Sequence, residues 1–343
     1  MLDVTEIETF HGKRNEAFQN KNTAEYDTYK EKEKVELNTC KKRWVEKQIT
    51  QGNTMWNITK LLSNKTKLIN LNCLISDNNS LYDFINEVNK QFAAHYIQST
   101  DLPNLDLLPT NDWHLVIDEL DVFWHLTRCD VKKSTSKRDL PLFLYKEAAI
   151  ILAGPLCDIF NVSINTCCVP DLWKIGDIIP IPKCRPVQLN QLRPITLLPL
   201  FGKILEMIVL DSVKDSLNLS IDKDQFAYKK SSSTTCMLVE CMDFVGKNLD
   251  DPNSLAVGLV TFDFSKAFDQ VDHGLLLRKM CAICLDSGII PGDFIRWTAS
   301  YLSTRKQRTV IMNKPSEILD VTSGVPQGSQ LGPCLFSLFA IVI

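Results

Sequence analysis

The spacing of apolar positions along the chain predicts a mixture of helices and strands. In the stretch LYDFINEVNKQFAAHYI, apolar residues recur every three or four positions, at Leu81, Phe84, Ile85, Val88, Phe92 and Ala93. This period belongs to one face of an α-helix. We also predict helices in WHLVIDELDVFWHL, KEAAIILAGPLCDIFNVSI and PGDFIRWTASYL.

Other apolar runs have the length of a strand. WKIGDIIPIPK favours an edge strand or an extended segment, because proline cannot donate a ladder hydrogen bond. SLAVGLVTFDF predicts a buried strand that leads into a helix-like SKAFDQVDHGLLLRKMCAICLDSG. RPITLLPLFGKILEMIVLDSVKDSL predicts an extended start and then an apolar helix, and QRTVIMNKPSEILDVTSGV predicts two extended runs around a turn. Helices and strands mix without regular alternation, which favours an α+β fold over a doubly wound sheet.

The amino-terminal part of the chain has a different pattern. Residues 11 to about 50 are rich in charge and low in glycine and proline, which predicts a solvated helical stretch. The segment DLPNLDLLPTND, with two prolines, is the best domain boundary. We therefore predict a charged helical extension over residues 1–110, a helical entry region over 111–164 and the main domain over 165–343.

Composition narrows the class of protein. The formal charge of −3 argues against a globally basic surface, so a polyanionic partner must be met by local basic patches. The amino terminus MLDVTEIETF lacks a signal segment, and the apolar run CLFSLFAIVI is shorter than the roughly 20 residues of a membrane span. We predict an intracellular protein with no membrane partner, and no basic targeting cluster places it in the nucleus.

The cysteines predict reduced thiols. Twelve cysteines in 343 residues are too dilute for a small disulfide scaffold. The Cys-x-x-Cys pair, Cys281 and Cys284, has no second pair at zinc-site spacing, so we interpret both as thiols in the core of a helix.

Three aspartates in TFDFSKAFDQVDH raise the question of a metal site. Asp269 follows Asp263 by six residues, which places the two side chains about 20 Å apart in a strand, or about 240° apart around a helix. Neither geometry lets them share a site easily. Asp269 and Asp272 are instead expected at a helix amino terminus or on a solvated helix face. Two-metal phosphoryl transfer needs carboxylates that converge from different segments, so Asp263 requires partners from elsewhere.

Several motifs in order resemble one family. FDFSKAFDQVDH is preceded by IIPIPK, RPITLLPLFGKILE and QFAYKKSSSTT and followed by SGVPQGSQLGP. Together these resemble the reverse transcriptases of non-LTR (LINE-type) retrotransposons over residues 165–340. The upstream KSTSKRDLP and LCDIFNVSINTCCVPDLWK resemble the same family's entry region.

The resemblance implies a right-hand polymerase fold, with the fingers and part of the palm in this region. It implies that Asp263 is the first catalytic aspartate and a ligand of two Mg²⁺ ions, beside the backbone carbonyl of Phe264. It also places Phe268 at the steric gate, where an aromatic ring excludes a ribose 2′-hydroxyl. From the residues alone, Phe268 is a core aromatic.

The resemblance further implies a nucleotide-binding set. Lys183 and Arg193 would hold the incoming triphosphate, a role that suits their charge. Gln327 would lie beside the nucleotide, and Gly328 would allow a close backbone approach. The alternatives are surface cations for the first pair and a polar turn for the second.

The tract RKQR offers a candidate contact to nucleic acid. Arg305, Lys306 and Arg308 could bind phosphates of an RNA template or a DNA primer, and a solvated turn is the equal alternative. The expected partners are therefore an RNA template, a DNA primer and deoxynucleoside triphosphates.

The chain also departs from the family pattern. No Tyr/Phe-x-Asp-Asp stretch occurs in it, the usual KSTGPDGIP is replaced by KSTSKRDLP, and no nuclease motif precedes the match. We expect a member of the RNA-directed DNA polymerase family that is inactive as this chain stands and that exposes apolar surface. The alternatives are a noncatalytic RNA- or DNA-binding remnant and a decayed element without a folded product.

Overall fold

The structure, a computed structural model, describes residues 80–341 except 184–187, 223, 230 and 251–255, together with residues 13, 25, 28–32, 35 and 39. The chain divides into two compact units, residues 1–70 and residues 71–343. The described residues of the first unit are helical and mostly exposed, as the charge pattern predicts. The remainder of the predicted extension up to residue 79 lies outside the described residues.

The second unit is rich in helices. In chain order these are α1 (Leu81–Ala93), α2 (Glu119–Thr127), α3 (Leu142–Glu147), α4 (Ala149–Asn165), α5 (Leu200–Ser220), α6 (Thr234–Leu249), α7 (His273–Ser287), α8 (Gly292–Leu302) and α9 (Gly332–Ala340). The predicted helix in WHLVIDELDVFWHL is confirmed only in its second half, as α2, and the one in PGDFIRWTASYL is confirmed as α8. Short 3₁₀ turns lie at Leu105–Leu107, Asp171–Lys174 and Leu189–Gln191.

The strands form one mixed sheet. They are β1 (Ile175–Pro182), β2 (Leu192–Leu197), β3 (Lys306–Ile311), β4 (Lys314–Pro315) and β5 (Leu319–Asp320). The order is β2-β1-β3-β4, and β5 also pairs with β3. Strand β1 is antiparallel to β2 and parallel to β3. Helices and a mixed sheet in one unit make a mixed α/β architecture, which agrees with the predicted mixture of elements.

Strand β1 is internal, so the predicted edge position of WKIGDIIPIPK is wrong. Its first half, Ile175–Ile178, pairs with β3, whereas Asp177–Pro182 pairs with β2. Pro180 and Pro182 thus lie past the end of the β3 pairing. The prolines are accommodated because the strand has a ladder on only one side at these positions.

The run LAVGLVTFDF does not form the predicted strand. Residues 256–264 have no regular secondary structure, and Phe262 and Phe264 are 86% and 78% exposed. No described strand pairs with this run, and a strand depends on neighbours that satisfy its backbone groups. The following SKAFDQ is a series of turns, so the predicted helix begins only at His273, the first residue of α7.

Helix α1 packs on the sheet, and its predicted apolar face is confirmed. Phe84, Ile85 and Val88 are buried in a cluster with residues of β1, β2 and β3. The side chain of Ser80 caps the helix by accepting from the Asp83 N–H group. α1 belongs to the same compact unit as the sheet. The assignments of residues 1–110, 111–164 and 165–343 as domains stay predictions.

The larger core lies among helices α2, α4, α5, α7, α8 and α9. Cys281 and Cys284 are buried free thiols of α7, which confirms their interpretation as helix-core residues. Burial raises the pKa of both thiols. None of the described helices combines the length and the apolar character that a bilayer crossing requires.

Candidate active site

The loop that contains SGVPQG is bound to the turn that contains AFDQVD. Gly324 donates its N–H to Val271 O and Val325 donates to Phe268 O, each at 2.8 Å. Gly324 has a φ of +85°, and a β-carbon there would lie 2.8 Å from the carbonyl oxygens of Phe268 and Asp269. Glycine is therefore required for this contact. The two motifs are thus in direct contact through backbone hydrogen bonds, although about fifty residues separate them in the sequence.

The same loop is also fixed to strand β2. Thr196 donates its N–H to Gln327 O at 2.8 Å. Gly328 has a φ of +134°, and a β-carbon there would lie 2.5 Å from Thr196 O. The backbone of Gly328 thus lies close to β2. This contact and the Thr196 hydrogen bond hold Gln327 at the edge of that strand.

A buried carboxylate stabilises the loop that contains SGVPQG by accepting a hydrogen bond from the residues that follow it. Glu206, on α5, accepts the N–H of Gln330 at 2.8 Å and the hydroxyl of Tyr301 at 2.9 Å. Burial raises the pKa of Glu206, and the neighbouring Arg305 guanidinium opposes that shift. The only sequence signal for this role is an acidic residue within the apolar stretch KILEMIV.

Four of the predicted nucleotide-binding residues line one cavity, which we call the Phe268 cavity and which has a volume of about 170 Å³. They are Lys183, Arg193, Phe268 and Gln327. Lys183 follows β1 and donates its N–H to Gln191 O at 2.9 Å, and this bond keeps it beside the start of β2. Other residues of the wall are Phe92, His95, Leu192, Pro194, Lys266, Ala267 and Asp269.

Phe268 is held by two other aromatic rings. Its ring stacks on Phe336 of α9, with centroids 5.0 Å apart and an interplanar angle of 13°. Tyr228, from QFAYKKSSSTT, meets it edge-on at 6.0 Å. Phe268 is partly buried and packs against the main core, so it is both a core aromatic and part of the cavity wall.

Asp269 is not the solvated helix residue that the spacing predicts. It lies in a turn, is partly buried and lines the Phe268 cavity. Burial raises the pKa of Asp269 to about 6, and the positive charges of Lys266 and Lys183 oppose the shift. The helix assignment is wrong because the chain does not become helical until His273.

Asp272, in contrast, is confirmed at a helix amino terminus. Its Oδ1 accepts the N–H of Leu275 at 2.7 Å and so caps α7. It also accepts the N–H and the hydroxyl of Thr100, at 2.9 and 2.8 Å. Burial acts to raise the pKa of Asp272, but these hydrogen bonds outweigh it and hold the pKa below the usual range.

Comparison with known proteins shows that the part of the chain with these motifs matches a protein family. The family model described as "Reverse transcriptase (RNA-dependent DNA polymerase)" matches residues 181–343. The chain contains a reverse transcriptase domain. The matched range includes all four predicted residues of the Phe268 cavity wall, Lys183, Arg193, Phe268 and Gln327.

The relatives of this reverse transcriptase domain come from mobile elements. The RNA-directed DNA polymerase from mobile element jockey of Drosophila melanogaster is 33% identical over 187 residues, which are 53% of this chain and 19% of that protein. The probable RNA-directed DNA polymerase from transposon BS of the same species is 28% identical over 185 residues, 53% of this chain and 20% of that protein.

A third relative is the retrovirus-related Pol polyprotein from type-1 retrotransposable element R1 of Bradysia coprophila. It is 31% identical over 183 residues, 49% of this chain and 16% of that protein. The resemblance to non-LTR retrotransposon polymerases is thereby confirmed. The chain spans about a fifth or less of the length of these relatives.

The first aspartate of the motif lies apart from the cavity wall. Asp263 is exposed in the irregular run 256–264, together with Phe264, whose carbonyl is the other predicted metal ligand. Within the described part of the chain, no group of three His, Cys, Asp or Glu side chains is placed to hold a metal ion. The described residues alone do not fit a two-ion magnesium site, which needs converging carboxylates.

The basic tract RKQR lies mainly inside the reverse transcriptase domain. Arg305 is 3% exposed, donates to Tyr301 O at 3.2 Å and stacks over the Tyr301 ring. The Arg308 guanidinium donates to the fully buried Asp177 at 2.6 Å. Only Lys306 of the predicted three extends outward, 3.8 Å from an exposed oxygen of Asp320. The solvated-turn alternative is wrong, because residues 306–311 form β3. The burial of Arg305 and the partial burial of Arg308 favour structural roles for both arginines.

Two wall residues that sequence analysis missed come from the end of α1 and the turn that follows it. Phe92 and His95 line the Phe268 cavity, although they lie outside the residues that match the family model. The helical period of LYDFINEVNKQFAAHYI gives the buried face that contains Phe92. Nothing in that period indicates that this face ends at a cavity.

Proposed function

We propose that this reverse transcriptase domain provides the fingers and part of the palm of an RNA-directed DNA polymerase and binds the incoming deoxynucleoside triphosphate in the Phe268 cavity. One observation carries the proposal. Lys183, Arg193, Phe268 and Gln327 come from four separate motifs of the sequence and line a single cavity. The resemblance implies nucleotide binding for each of them independently of their positions in space.

The charges of the wall support a phosphate ligand. Lys183, Arg193 and Lys266 provide three cationic side chains, against one carboxyl group, Asp269. Binding a triphosphate consists largely of neutralising its charge with such groups. Arg193 can also offer two parallel N–H donors to one phosphate.

Phe268 and Gln327 would contact the nucleoside part. The stack on Phe336 restrains the Phe268 ring, so the ring can exclude a 2′-hydroxyl without turning away. The bond between Thr196 and the Gln327 carbonyl leaves the glutamine side chain free to contact the nucleotide. A fixed ring and a fixed loop are what a selective sugar site requires.

Asp263 would act as a ligand of Mg²⁺ in the assembled polymerase, together with the Phe264 carbonyl. Two-ion phosphoryl transfer would then need further carboxylates beside Asp263. We therefore expect residues 1–343 alone to bind deoxynucleotides without extending a primer.

Calorimetric titration of the full chain with dCTP tests the nucleotide site. We expect binding that Lys183→Ala and Arg193→Ala each weaken by about tenfold or more, since each removes a charge-assisted hydrogen bond. Lys214→Ala is the matched control, because Lys214 is an exposed lysine paired with Asp211 on α5. Equal affinities for all variants would contradict the proposal. Primer extension on an RNA template with Mg²⁺ tests activity, and incorporation that Asp263→Ala abolishes would contradict the expected inactivity.

One observation favours noncatalytic nucleic-acid binding as a second candidate function. The loop KKSTSKR presents Lys132, Lys133, Lys137 and Arg138 on the surface. Buried Asp177 anchors it by accepting the Ser136 hydroxyl at 2.7 Å and the Lys137 N–H at 2.6 Å. A fixed basic loop suits phosphate contacts, which weaken as salt is added.

Fluorescence anisotropy with labelled RNA at several salt concentrations tests this second function. We expect Lys137→Gln combined with Arg138→Gln to weaken binding and to reduce its salt dependence, while Asp263→Ala leaves both unchanged. RNA binding that is identical in the double variant would reject the loop as the contact surface.

A further inference from the structure

We propose that His95, from the segment upstream of the family match, binds a phosphate of the nucleotide in the Phe268 cavity; this inference rests on the proposed function. His95 would donate a hydrogen bond from Nε2 to a phosphate oxygen. The upstream segment would thus contribute a binding residue, and not only packing, to the reverse transcriptase domain.

The first support is the position of His95. It lines the same cavity as Lys183, Arg193 and Lys266, the three cationic side chains of the wall. A phosphate bound among these cations would therefore also lie near His95. Phosphate oxygens only accept hydrogen bonds, and an imidazole nitrogen that carries a proton can donate one.

The second support is an unused polar atom. His95 Nε2 is buried and has no hydrogen-bond partner among the described residues. A buried polar atom without a partner costs free energy, and such atoms are rare in folded proteins. A ligand in the cavity would supply the missing partner.

The third support is the firm attachment of the segment around His95. Next to it in sequence, Tyr96 hydrogen bonds through its hydroxyl to Gln307 Oε1 on β3. The N–H of Ile97 donates to Ser323 Oγ at 2.9 Å, and the Ser99 hydroxyl donates to Thr322 O at 2.8 Å. His95 is therefore held between α1 and an anchored segment without regular secondary structure, and a preorganised donor loses little freedom on binding.

The chain also offers a matched control close to His95, in the last turn of α1. Gln91 Oε1 is likewise buried and without a partner, one turn before His95. Gln91 is not among the described residues that line the Phe268 cavity. His95→Leu and Gln91→Leu therefore remove comparable orphan atoms, and only the first changes the proposed site.

The test is calorimetric titration of the full chain with inorganic tripolyphosphate, dCTP and deoxycytidine, together with thermal melting without ligand. For His95→Leu we expect about tenfold weaker binding of both tripolyphosphate and dCTP, as for one lost charge-assisted hydrogen bond. His95→Gln, which keeps an N–H donor, should recover most of that loss. Gln91→Leu should bind both ligands like the unaltered chain. Neither leucine variant should melt at a lower temperature without ligand, because each removes an unpaired polar atom.

The outcomes separate the two proposals. If Arg193→Ala weakens dCTP binding and His95→Leu does not, the His95 inference is overturned and the proposed function stands. If His95→Leu weakens dCTP binding but not tripolyphosphate binding, the phosphate contact is overturned. A lower melting temperature with unchanged affinity would show a structural role for His95. No binding of dCTP or tripolyphosphate by the unaltered chain would overturn both proposals.

Discussion

Gly328 lies directly against Thr196: a β-carbon on the glycine would stand 2.5 Å from the threonine carbonyl oxygen. The Thr196 N–H group at the same time donates to Gln327 O. Strand β2 therefore sets the position of the loop, and the loop in turn sets the position of Gln327 in the Phe268 cavity.

Gly328→Ala should destabilise the domain and weaken dCTP binding together. The backbone has a φ of +134°, which alanine rarely adopts, and the new methyl group would push the loop from β2. We expect a loss of about 2 kcal/mol or more in the free energy of unfolding. Urea denaturation and calorimetry measure the two effects. Gly258→Ala is the control, because a β-carbon there meets no atom within 4 Å.

Phe268→Ala should reduce the preference for dCTP over CTP. Removing the ring would leave room for a 2′-hydroxyl, so we expect CTP affinity to rise towards that of dCTP. Phe336→Leu should reduce the preference to a smaller extent, because it removes the stacked ring that restrains Phe268 but leaves the Phe268 ring in the cavity wall. Calorimetry with both nucleotides gives the affinity ratio. An unchanged ratio in Phe268→Ala would reject the steric gate.

Asp269 should make the domain less stable as the pH rises through about 6. Burial raises its pKa to about 6 in the folded state, above the ordinary value of 3.8. Between these values the folded state holds a proton that the unfolded state has released, so stability falls as pH increases. Asp269→Asn should therefore melt higher than the unaltered chain at pH 7.5, and the difference should vanish near pH 4. A constant difference across this range would contradict the assignment.

Phe84→Ala should show that α1 is needed for folding. Phe84 is buried in the cluster between α1 and the sheet, so the truncation should cost about 3–5 kcal/mol. Tyr82→Ala, at an exposed position of the same helix, should change stability by less than about 0.5 kcal/mol. Urea denaturation of both variants provides the comparison, and a Phe84 variant as stable as the Tyr82 variant would argue against the packing of α1 on the sheet.

Asp177→Ala, which removes the partner of Arg308, should destabilise the domain far more than removal of the exposed Lys306 of RKQR. Asp177 is fully buried and accepts hydrogen bonds from Arg308, Ser136 and Lys137. Removing it leaves buried donors unpaired, and we expect a loss of about 3–5 kcal/mol. Lys306→Ala should leave thermal stability nearly unchanged, since its pair with Asp320 is exposed. Equal melting temperatures for the two variants would contradict the structural role of this pair.

Local patterns predict much of this fold because helices depend on neighbours along the chain. The buried face of α1, the helix α8 and the capping role of Asp272 all follow from residues within one or two turns. The internal position of β1 could not be predicted in this way. It depends on pairing with β3, which lies more than one hundred residues later in the sequence.

The candidate site was likewise predictable from the sequence only in part. The motifs indicated Lys183, Arg193, Phe268 and Gln327, and the structure brings them to one cavity. The burial of Asp269 and the presence of His95 depend on which segments fold over the motif. A period or a spacing contains no information on that arrangement.

The contact between Thr100 and Asp272 shows that the folded unit of the reverse transcriptase domain begins upstream of the family match. Asp272 caps α7 and holds Thr100 through two hydrogen bonds, so a residue inside the family match binds the chain upstream of it. A fragment started at residue 181 would lose both Thr100 and the wall that includes His95. A fragment for biochemical tests should accordingly include the chain from residue 80 onward. The carboxylate of Asp272 connects two segments of the fold through hydrogen bonds and is not a further metal ligand.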